Sequence, residues 1–401
     1  MGRFRWYTAG ESHGPGLTVI VEGLPAGVPI DEAVLRAQLA RRQKGYGRGG
    51  RMKIETDYAQ IRGGVRHGCT IGSPIALWIE NRDHTTGKGP DGTPWTEIMS
   101  LDPSAQPQER VTRLRPGHAD LPASIKYGYD DVRDSLERAS ARESAARVAA
   151  GAVARRFLEE FGLSFYSHVV QIGDVTAEAI DPVDWDAVED SRVRCADPTA
   201  ADRMVAAIDA AKSDGDTLGG VVEGRVSGVP YGLGSHVHWD RKLDGRIAQA
   251  LLSMNAFKGI EIGAGFNGAS RRGSTVHDVI APQDDWGDRP WPHLTNHHGG
   301  VEGGTSTGED IVVRVAVKPI ATLSHPLPSA DLDTGARVDA HFERSDVCVV
   351  PAAGVIVEAM LALVLADALL EKHGGDHLDE TRRNLESYRA TIGPRAERES
   401  D

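Results

Sequence analysis

The sequence predicts a protein that mixes helices and strands, and three patterns support this. Short aliphatic and β-branched runs bounded by glycine, such as Leu17 to Gly23, are typical of strands. Arg138 to Phe161 has the composition of a long helix. Pro351 to Leu370 is apolar but contains two acidic residues, so we expect a buried core helix rather than a membrane span. Alternating strands and helices alone would favour an α/β arrangement.

Composition limits the classes of function. The chain has 401 residues, with 45 Lys and Arg against 58 Asp and Glu, and a net charge of −13. This balance disfavours non-specific binding to nucleic acid or to an anionic membrane, so a basic site must be local. The three cysteines form no CxxC pair, which argues against a disulfide framework or a zinc knuckle. We expect a cytoplasmic protein, and Met1 to Tyr7 is too short and polar for a signal peptide.

His13 is the first candidate functional residue. It lies in Gly10-Glu11-Ser12-His13-Gly14 and is followed by Pro15 and Gly16, a composition that excludes a regular helix and predicts a tight loop. The strand expected from Leu17 to Glu22 would place His13 at a strand entrance, close to anything bound there. A surface histidine in a turn remains an equal reading of this stretch alone.

A helix capped by Asp31 is predicted next, and it should stop near a loop rich in arginine and glycine, residues 41–51. Arg41 and Arg42 could simply interact with the helix dipole. Arg48 and Arg51 stand beyond that turn, and arginines on a glycine loop in an acidic protein favour a site for phosphate or carboxylate. The alternative is an RNA-binding Arg-Gly segment, although such segments come in long repeats within basic chains.

Residues 82–108 are rich in Gly, Pro, Asp and Thr, and we expect a long loop there that could act as a mobile lid.

A second loop histidine, His118, resembles the first. Pro116 and Gly117 then force a bend directly before His118, which stands beside arginine and Asp120. A solvated loop histidine is the simpler interpretation, but the matching surroundings of the two histidines weaken it.

The helix predicted from Arg138 begins with small or charged residues as far as Ala146, so a ligand or another backbone could approach it closely. Asn296 to Gly308 contains five glycines and offers backbone amides of the kind that hold a phosphate or a flavin. Asp346 follows Arg344 and could be a helix cap, an ion-pair partner of that arginine or a catalytic carboxylate.

Two further patterns are weaker. Gly263 to Gly268 matches GxGxxG, but Ala269 to Ser274 does not open a helix, so we do not expect a dinucleotide-binding domain. The pairs His236/His238 and His297/His298 could bind a metal by spacing alone. Since no matching Asp, Glu or Cys pattern stands nearby, we expect no metal.

Taken together, the motifs resemble one known family. Gly-Glu-Ser-His-Gly at 10–14, Arg-Ala-Ser-Ala-Arg-Glu at 138–143 and Arg-Ser-Asp at 344–346 are similar to the three signatures of chorismate synthases. Arg-Pro-Gly-His-Ala-Asp at 115–120, Gly-Gly-Val-Glu-Gly-Gly at 299–304 and Lys-Pro-Ile-Ala-Thr at 318–322 also resemble that family. The resemblance covers nearly the whole chain.

The resemblance implies a lyase of the shikimate pathway, which leads to the aromatic amino acids. The reaction would be the anti-1,4-elimination of phosphate from 5-enolpyruvylshikimate 3-phosphate to give chorismate, with reduced FMN required but not consumed. It also implies a homotetramer of α+β protomers, each a β-α-β sandwich with long core helices between antiparallel β-sheets and no Rossmann domain. We expect one domain over residues 1–392 and a disordered acidic tail over 393–401.

The family's residue roles can be transferred to matching positions of this sequence. His13 would protonate the departing phosphate, His118 would act on the reduced flavin ring, and Asp346 would assist removal of the C6 proton, directly or through flavin N5. Arg42 and Arg48 match positions assigned to NADPH or to the anionic groups of the substrate, and we group Arg51 with them. The implied flavin contacts are Arg138, Ala139, Ser140, Asn255, Ala256, Gly303, Lys318, Pro319, Ile320, Ala321, Thr322 and Arg344.

Two other functions remain open at this point. A flavin reductase could use NADPH as the reductant in its main reaction, and NADPH is also a candidate reductant for a chorismate synthase. An RNA-binding protein could use the Arg/Gly loop 41–51. Chorismate formation, steady NADPH consumption without chorismate, and salt-sensitive RNA retention would distinguish the three.

Overall fold

The computed structural model describes residues 3–49, 56–105, 108–287, 289–343 and 345–394. The strands are β1 (Arg5–Ala9), β2 (Gly16–Glu22), β3 (Ala59–Gly63), β4 (Val65–Arg66), β5 (Cys69–Thr70), β6 (Ile75–Glu80), β7 (Ser164–Ile172), β8 (Val175–Thr176), β9 (Gly220–Ser227), β10 (Phe257–Ile262), β11 (Val301–Glu302), β12 (Thr305–Ser306), β13 (Ile311–Val317), β14 (Pro328–Ala330) and β15 (Arg337–Asp339). The helices are α1 (Glu32–Gln43), α2 (Arg82–Thr86), α3 (Trp95–Ile98), α4 (Asp120–Tyr127), α5 (Arg133–Leu136), α6 (Glu143–Glu159), α7 (Trp185–Asp190), α8 (Pro198–Ser213), α9 (Leu243–Leu252), α10 (Gly265–Ala269), α11 (Val350–His373) and α12 (Leu378–Arg389).

The first of two larger sheets has the order β1-β2-β6-β3, and its pairings are antiparallel. Alternate residues of β2 point inward, with Leu17, Val19 and Val21 almost completely buried. This period of two, with one face against the core, explains why the strand was evident in the sequence. The loop between β1 and β2 carries His13.

The second sheet has the order β10-β13-β9-β7-β8, and it is also antiparallel. On β13, residues Ile311, Val313 and Val315 are fully buried while Arg314 points outward. The structure therefore mixes helices with antiparallel sheets, as the α+β class requires. The parallel arrangement that strand and helix alternation alone would have favoured is absent from the pairings of these two sheets.

Two long helices occupy the core. Helix α11 packs along α6, while α6 also contacts β2 and α11 also contacts β7 and β9. Helix α11 is apolar and long enough to cross a membrane, but 83% of its most hydrophobic window is buried inside the protein. The prediction of a buried core helix is confirmed.

Several predicted boundaries need correction. Helix α6 begins at Glu143 rather than Arg138, because residues before it form a separate turn after α5. Helix α9 spans Leu243–Leu252, and neither Asp240 before it nor Ala256 after it belongs to the helix. The Asp240 carboxylate contacts His238 instead of capping the helix, and Ala256, with φ of +68°, has already left helical geometry. The loop predicted over 82–108 contains α2 and α3.

Candidate active site

The loop between β1 and β2 holds His13 firmly. Gly10 has φ of +108°, and a Cβ there would lie 2.3 Å from the carbonyl oxygen of Gly16, so only glycine fits the turn. The side-chain amide of Asn81 donates to the carbonyl oxygens of Glu11 and Gly14, at 3.0 and 2.8 Å. Because these contacts fix the loop from both sides, the position of the His13 backbone is set by the fold.

The His13 side chain is only 12% exposed and has neighbours on several sides. Its Nδ1 lies 2.9 and 3.0 Å from the two carboxylate oxygens of Glu137. Its ring stacks on that of Trp95, with 3.7 Å between centroids, and Nε2 lies 3.9 Å from Oδ2 of Asp83. A histidine held in this way is not the solvated turn residue that the sequence left open.

His118 stands at the start of α4 in a similar arrangement. Its Nδ1 lies 2.5 Å from Oδ1 of Asp120, and the Arg115 guanidinium contacts both residues. Burial alone would raise the pKa of Asp120, but the hydrogen bonds from His118 and Arg115 outweigh it and hold this pKa well below its usual range. Asp120 therefore remains an anion beside His118.

Arg115 connects His118 to the predicted segment from Lys318 to Thr322. Its Nη1 donates to the Thr322 hydroxyl at 3.3 Å. Gly117 has φ of +77°, and a Cβ on it would lie 3.8 Å from Nζ of Lys318. The His118 loop and this segment are thus neighbours.

Asp346 lies in a cleft of about 180 Å³ that Thr322 also lines. Its Oδ1 accepts the peptide N–H of Gly49 at 2.6 Å, and its Oδ2 lies 3.1 Å from Nε of Arg48. The Arg/Gly loop, Asp346 and the segment from Lys318 to Thr322 therefore meet at one place. Within the described residues, Arg48 is an ion-pair partner of Asp346. Arg344, the partner suggested by the sequence, lies outside the described residues.

The chain from His341 to Glu343 connects the Asp346 cleft to His13. Nη1 of Arg133 lies 3.1 Å from Glu137, the carboxylate beside His13, and 3.5 Å from Glu343. Burial alone would raise the pKa of Glu343, but the hydrogen bond from His341 and the charge of Arg133 lower it to about 2. Contacts thus run from His13 through Glu137 and Arg133 to Glu343, whose neighbour Phe342 lines the same cleft as Asp346.

Three of the residues implied as flavin contacts, Arg138, Ala139 and Ser140, form the turn between α5 and α6 and lie against the His13 loop. The Ser140 hydroxyl donates to the Ser12 hydroxyl at 3.1 Å, and Nη2 of Arg138 donates to the carbonyl oxygen of Thr8 at 3.0 Å. This turn is the place where the sequence signature of residues 138–143 meets that of residues 10–14.

Asn255 and Ala256 connect the same turn to Lys318. The Asn255 side-chain amide donates to the carbonyl oxygens of Ala139 and Ser140, at 2.7 and 3.1 Å. The Ala256 carbonyl accepts the peptide N–H of Lys318 at 2.9 Å. Backbone and amide groups from three remote segments therefore surround one region.

Gly303 lies in the tight turn between β11 and β12. The neighbouring Gly304 carbonyl accepts the peptide N–H of Leu243 at 2.9 Å. Leu243 begins the ten-residue helix α9 and Asn255 lies beyond its other end, so the helix, about 15 Å long, stands between Gly303 and the turn at Ser140.

The arginines of the 41–51 loop have different surroundings. Arg42 is 3% exposed, and its guanidinium donates to Asp57 at 3.0 Å and to the Ser144 hydroxyl at 2.9 Å. Burial lowers the pKa of Arg42 to about 10. Arg48 pairs with Asp346, as described above, and Arg51 lies outside the described residues. The charge of Arg42 is engaged inside the protein, whereas Arg48 borders the cleft.

Arg41 also faces inward, where it pairs with Glu189 and Glu358, each at 2.6 Å. Its partner Glu358 is almost completely buried in α11. Arg41, Arg42 and Arg48 are therefore all paired with carboxylates of this chain, which is unlike an Arg-Gly segment that presents its charges to RNA.

One group of residues brings potential metal ligands together. Ligand atoms of Asp278, His298 and Glu302 lie within 4.8 Å of one another. Both oxygens of Asp278 already accept hydrogen bonds from the loop that follows, including the peptide N–H groups of His297 and His298. Asp278 thereby acts as a loop cap, and the absence of a metal remains a prediction.

The GxGxxG match lies at the end of β10, an edge strand in an antiparallel sheet. A helix of five residues, Gly265–Ala269, forms within the match itself, and Ala269 is its last residue. An antiparallel edge strand with one helical turn lacks the βαβ context that a dinucleotide site needs.

Sequence reasoning missed Glu137, Asp83 and Trp95, which contact His13, and Arg133, which contacts Glu137. Glu137 directly precedes the 138–143 signature. The helix before it, α5, is a single turn, which is too short to show a hydrophobic period in the sequence. Trp95 was a lone aromatic residue in a loop-like stretch. A tryptophan among Gly and Pro residues was the one available signal, because a large apolar ring is usually buried rather than exposed on a loop.

Comparison with known proteins adds an independent observation. A family model described as chorismate synthase matches residues 4–370. Chorismate synthases of Symbiobacterium thermophilum and Moorella thermoacetica are 55% and 56% identical to this chain, and the alignments cover 98% and 96% of it and 100% and 98% of those proteins. A solved structure described as the crystal structure of chorismate synthase is 42% identical, with a TM-score of 0.76 over 97% of this chain and 98% of that one.

Proposed function

The chain belongs to the chorismate synthase family, and we propose that His13, His118 and Asp346 carry out its reaction in one flavin-dependent site. The enzyme is a lyase that eliminates phosphate from 5-enolpyruvylshikimate 3-phosphate to give chorismate. In this reaction a C–O bond to phosphate and the C6–H bond break while a conjugated diene forms, with no net oxidation. The residue roles below are our proposal.

The contacts around His13 and Asp346 give the proposal its main support. His13 is connected through Glu137, Arg133 and Glu343 to the chain that enters the Asp346 cleft. The same cleft is lined by Thr322, which bonds to Arg115 beside His118. Groups that are remote in the sequence are therefore connected by short contacts, as a shared site requires.

Each of the three residues has a distinct task. His13 gives a proton to the departing phosphate, whose developing charge would otherwise raise the barrier. Asp346 assists removal of the C6 proton, directly or through the flavin, and Arg48 holds its carboxylate at 3.1 Å. His118, supported by the Asp120 anion, holds a proton at the flavin-facing side of the site.

The described residues fit a bound flavin. Burial lowers the pKa of Lys318, and the nearby charge of Lys258 adds to the effect, so an anionic group would be favourable there. Further polar groups come from the Thr322 hydroxyl at the end of the same segment and from the turn at Ser140, which Asn255 and Ala256 link to the Lys318 backbone. When bound, reduced FMN supplies electron density to the ring from which phosphate leaves.

Local arginines explain how an acidic protein accepts this substrate. The substrate carries a phosphate and two carboxylates, and FMN adds another phosphate, so several anions would share one enclosed site. Their repulsion at low dielectric would be large without nearby cations. Arg48 pairs with Asp346 in the cleft and Lys318 lies beside the His118 loop. We assign Arg48 and Arg51 to binding of the substrate's anions or of NADPH, and Arg344 to the flavin. Arg42 would act by holding the loop through Asp57.

The remaining family properties are also proposals for this chain. We expect a homotetramer in the cytoplasm, with FMN as the working cofactor and NADPH as a candidate source of its electrons. The contacts of α6 with the first sheet and of α11 with the second support a β-α-β sandwich. We retain a single domain over residues 1–392; residues 395–401 of the predicted tail lie outside the described part of the chain.

Replacement of His13 tests this proposal. His13→Ala should lower turnover by roughly two to four orders of magnitude, the usual effect of losing a general acid. Turnover is measured anaerobically with reduced FMN and the enolpyruvyl substrate, by chorismate absorbance and phosphate release. His238→Ala, at an exposed histidine, is the matched control and should behave as wild type. Near-normal turnover of His13→Ala would remove this residue from the mechanism.

A further inference from the structure

A single buried carboxylate, that of Glu137, contacts His13 in two ways. Its Oε2 accepts the peptide N–H of His13 at 2.7 Å, and its two oxygens lie 2.9 and 3.0 Å from Nδ1 of the ring. The Glu137 side chain is 1% exposed. Backbone and ring of the same histidine are therefore fixed by one group.

Glu137 is itself held in place. Arg133 lies one helical turn before Glu137 in the chain, and its Nη1 donates to Oε1 of Glu137 at 3.1 Å. The Glu137 carbonyl oxygen accepts the peptide N–H of Ser12 at 3.1 Å. The carboxylate cannot follow the imidazole if the imidazole rotates, so it defines the ring position rather than adapting to it.

The ring has little freedom in the remaining directions. Trp95 stacks on its face with an interplanar angle of 14°. The Arg133 guanidinium in turn lies over the Trp95 ring, 5.2 Å from the ring centre. A carboxylate at Nδ1 keeps a proton on that nitrogen, because an ionised carboxylate can only accept a hydrogen bond. Nε2, which lies 3.9 Å from Oδ2 of Asp83, is then the nitrogen that can deliver a proton to a ligand.

We infer that Glu137 is the positioning residue of His13, and that it fixes the imidazole with Nε2 directed at the leaving phosphate. This inference rests on the proposed role of His13 as the acid. His118 and Asp120 show the same arrangement at the flavin side of the site, again with a buried carboxylate on Nδ1. Each imidazole of the site thus has its own anionic partner.

A purely structural role is the competing explanation, since Glu137 and Arg133 also form an i,i+4 ion pair within the fold. The two explanations differ in whether the effect of Glu137 passes through His13. Glu137→Gln keeps the size of the side chain and its carbonyl oxygen but removes the charge. Glu137→Asp keeps the charge but withdraws it, and it serves if the first variant does not fold.

The test is a double-mutant cycle on turnover. Glu137→Gln alone should lower kcat by about 10- to 100-fold, the scale on which residues behind a reacting group act, with little change in KM. Because the imidazolium loses a neighbouring anion, the pH above which kcat falls should also move down. In a His13→Ala background the same Glu137→Gln change should cost less than about twofold, because the group through which it acts is gone.

The outcomes separate this inference from the proposed function. If His13→Ala is slow, as proposed, and Glu137→Gln lowers its residual kcat by the same factor as in the native background, Glu137 is only structural and the inference is wrong. An unchanged kcat and pH profile for Glu137→Gln in the native background would overturn it as well. If His13→Ala is itself near normal, the proposed role of His13 has failed instead.

Discussion

The close crossing of α6 and α11 gives a quantitative prediction for Gly151→Ala. A Cβ at Gly151 would lie 2.5 Å from Cβ, 2.7 Å from Cα and 2.8 Å from the carbonyl oxygen of Ala359. Favourable carbon–carbon contacts are about 3.5–4.0 Å, so the helices would have to separate by roughly 1 Å. All three atoms belong to a short side chain or to helix backbone, and no flexible side chain can move aside.

Two opposing effects determine the size of the change. Alanine is favoured over glycine inside a helix by about 1 kcal/mol. Overpacking in a core costs typically about 1–3 kcal/mol, and a clash between two helix backbones belongs at the upper end. We therefore expect a net loss of about 2 kcal/mol in the free energy of unfolding.

Urea denaturation at a fixed protein concentration measures this loss as a lower midpoint at unchanged m-value. Gly245→Ala in α9 is the matched control, because its new Cβ would find its nearest neighbours at 3.8 and 3.9 Å. That variant should be neutral or gain up to about 1 kcal/mol. If Gly151→Ala were as stable as Gly245→Ala, the backbone contact between the two central helices would be refuted.

Three further predictions concern buried ionisable groups. Burial alone would raise the pKa of Glu358, but its arginine partners lower it below the ordinary value of 4.5. In urea titrations, Glu358→Gln should therefore destabilise the protein by about 3 kcal/mol at pH 7, and by progressively less as the pH falls through 4.5. Burial lowers the pKa of His373 from 6.5 to about 4, so between these pH values the unfolded chain binds more protons and stability falls as the pH falls. His373→Phe should therefore flatten the pH dependence of the denaturation midpoint, and an unchanged slope would contradict the prediction. Burial raises the pKa of Cys195 and raises that of Cys348 to about 11. A thiol reagent at pH 8 should therefore label Cys69 first and the two buried cysteines only on unfolding, and equal labelling rates would contradict their burial.

Elements with a strong local pattern could be predicted from the sequence. β2 and β13 alternate between buried and less buried positions, α1 begins directly after its cap Asp31, and α11 is a continuous apolar run. In each of these elements the local preference and the burial agree, so the tertiary structure had nothing to override.

Residues 138–142 show where local pattern fails. Their composition is helical, yet they form a turn, with Arg138 bonded to Thr8 and Asn255 bonded to the carbonyl oxygens of Ala139 and Ser140. Helix propensity differs by only a few tenths of a kcal/mol per residue among these types, so such tertiary hydrogen bonds outweigh it.

The partners of the site residues were beyond reach for a related reason. His13 could be suspected from the glycines around it, but its partner Glu137 is 124 residues away. Likewise Arg42 looked available for an anion until the fold placed Asp57 and Ser144 against it. Motifs show which residue types are present at a site, and only the fold shows which of them are already paired.

The most direct test is the crystal structure of this enzyme with oxidised FMN and the enolpyruvyl substrate bound together. Our account predicts Nε2 of His13 within about 3.2 Å of a phosphate oxygen of the substrate, with His118 against the flavin ring and Asp346 facing C6 of the same substrate molecule. A structure in which His13 and His118 line separate cavities, or in which the phosphate lies away from His13, would contradict it.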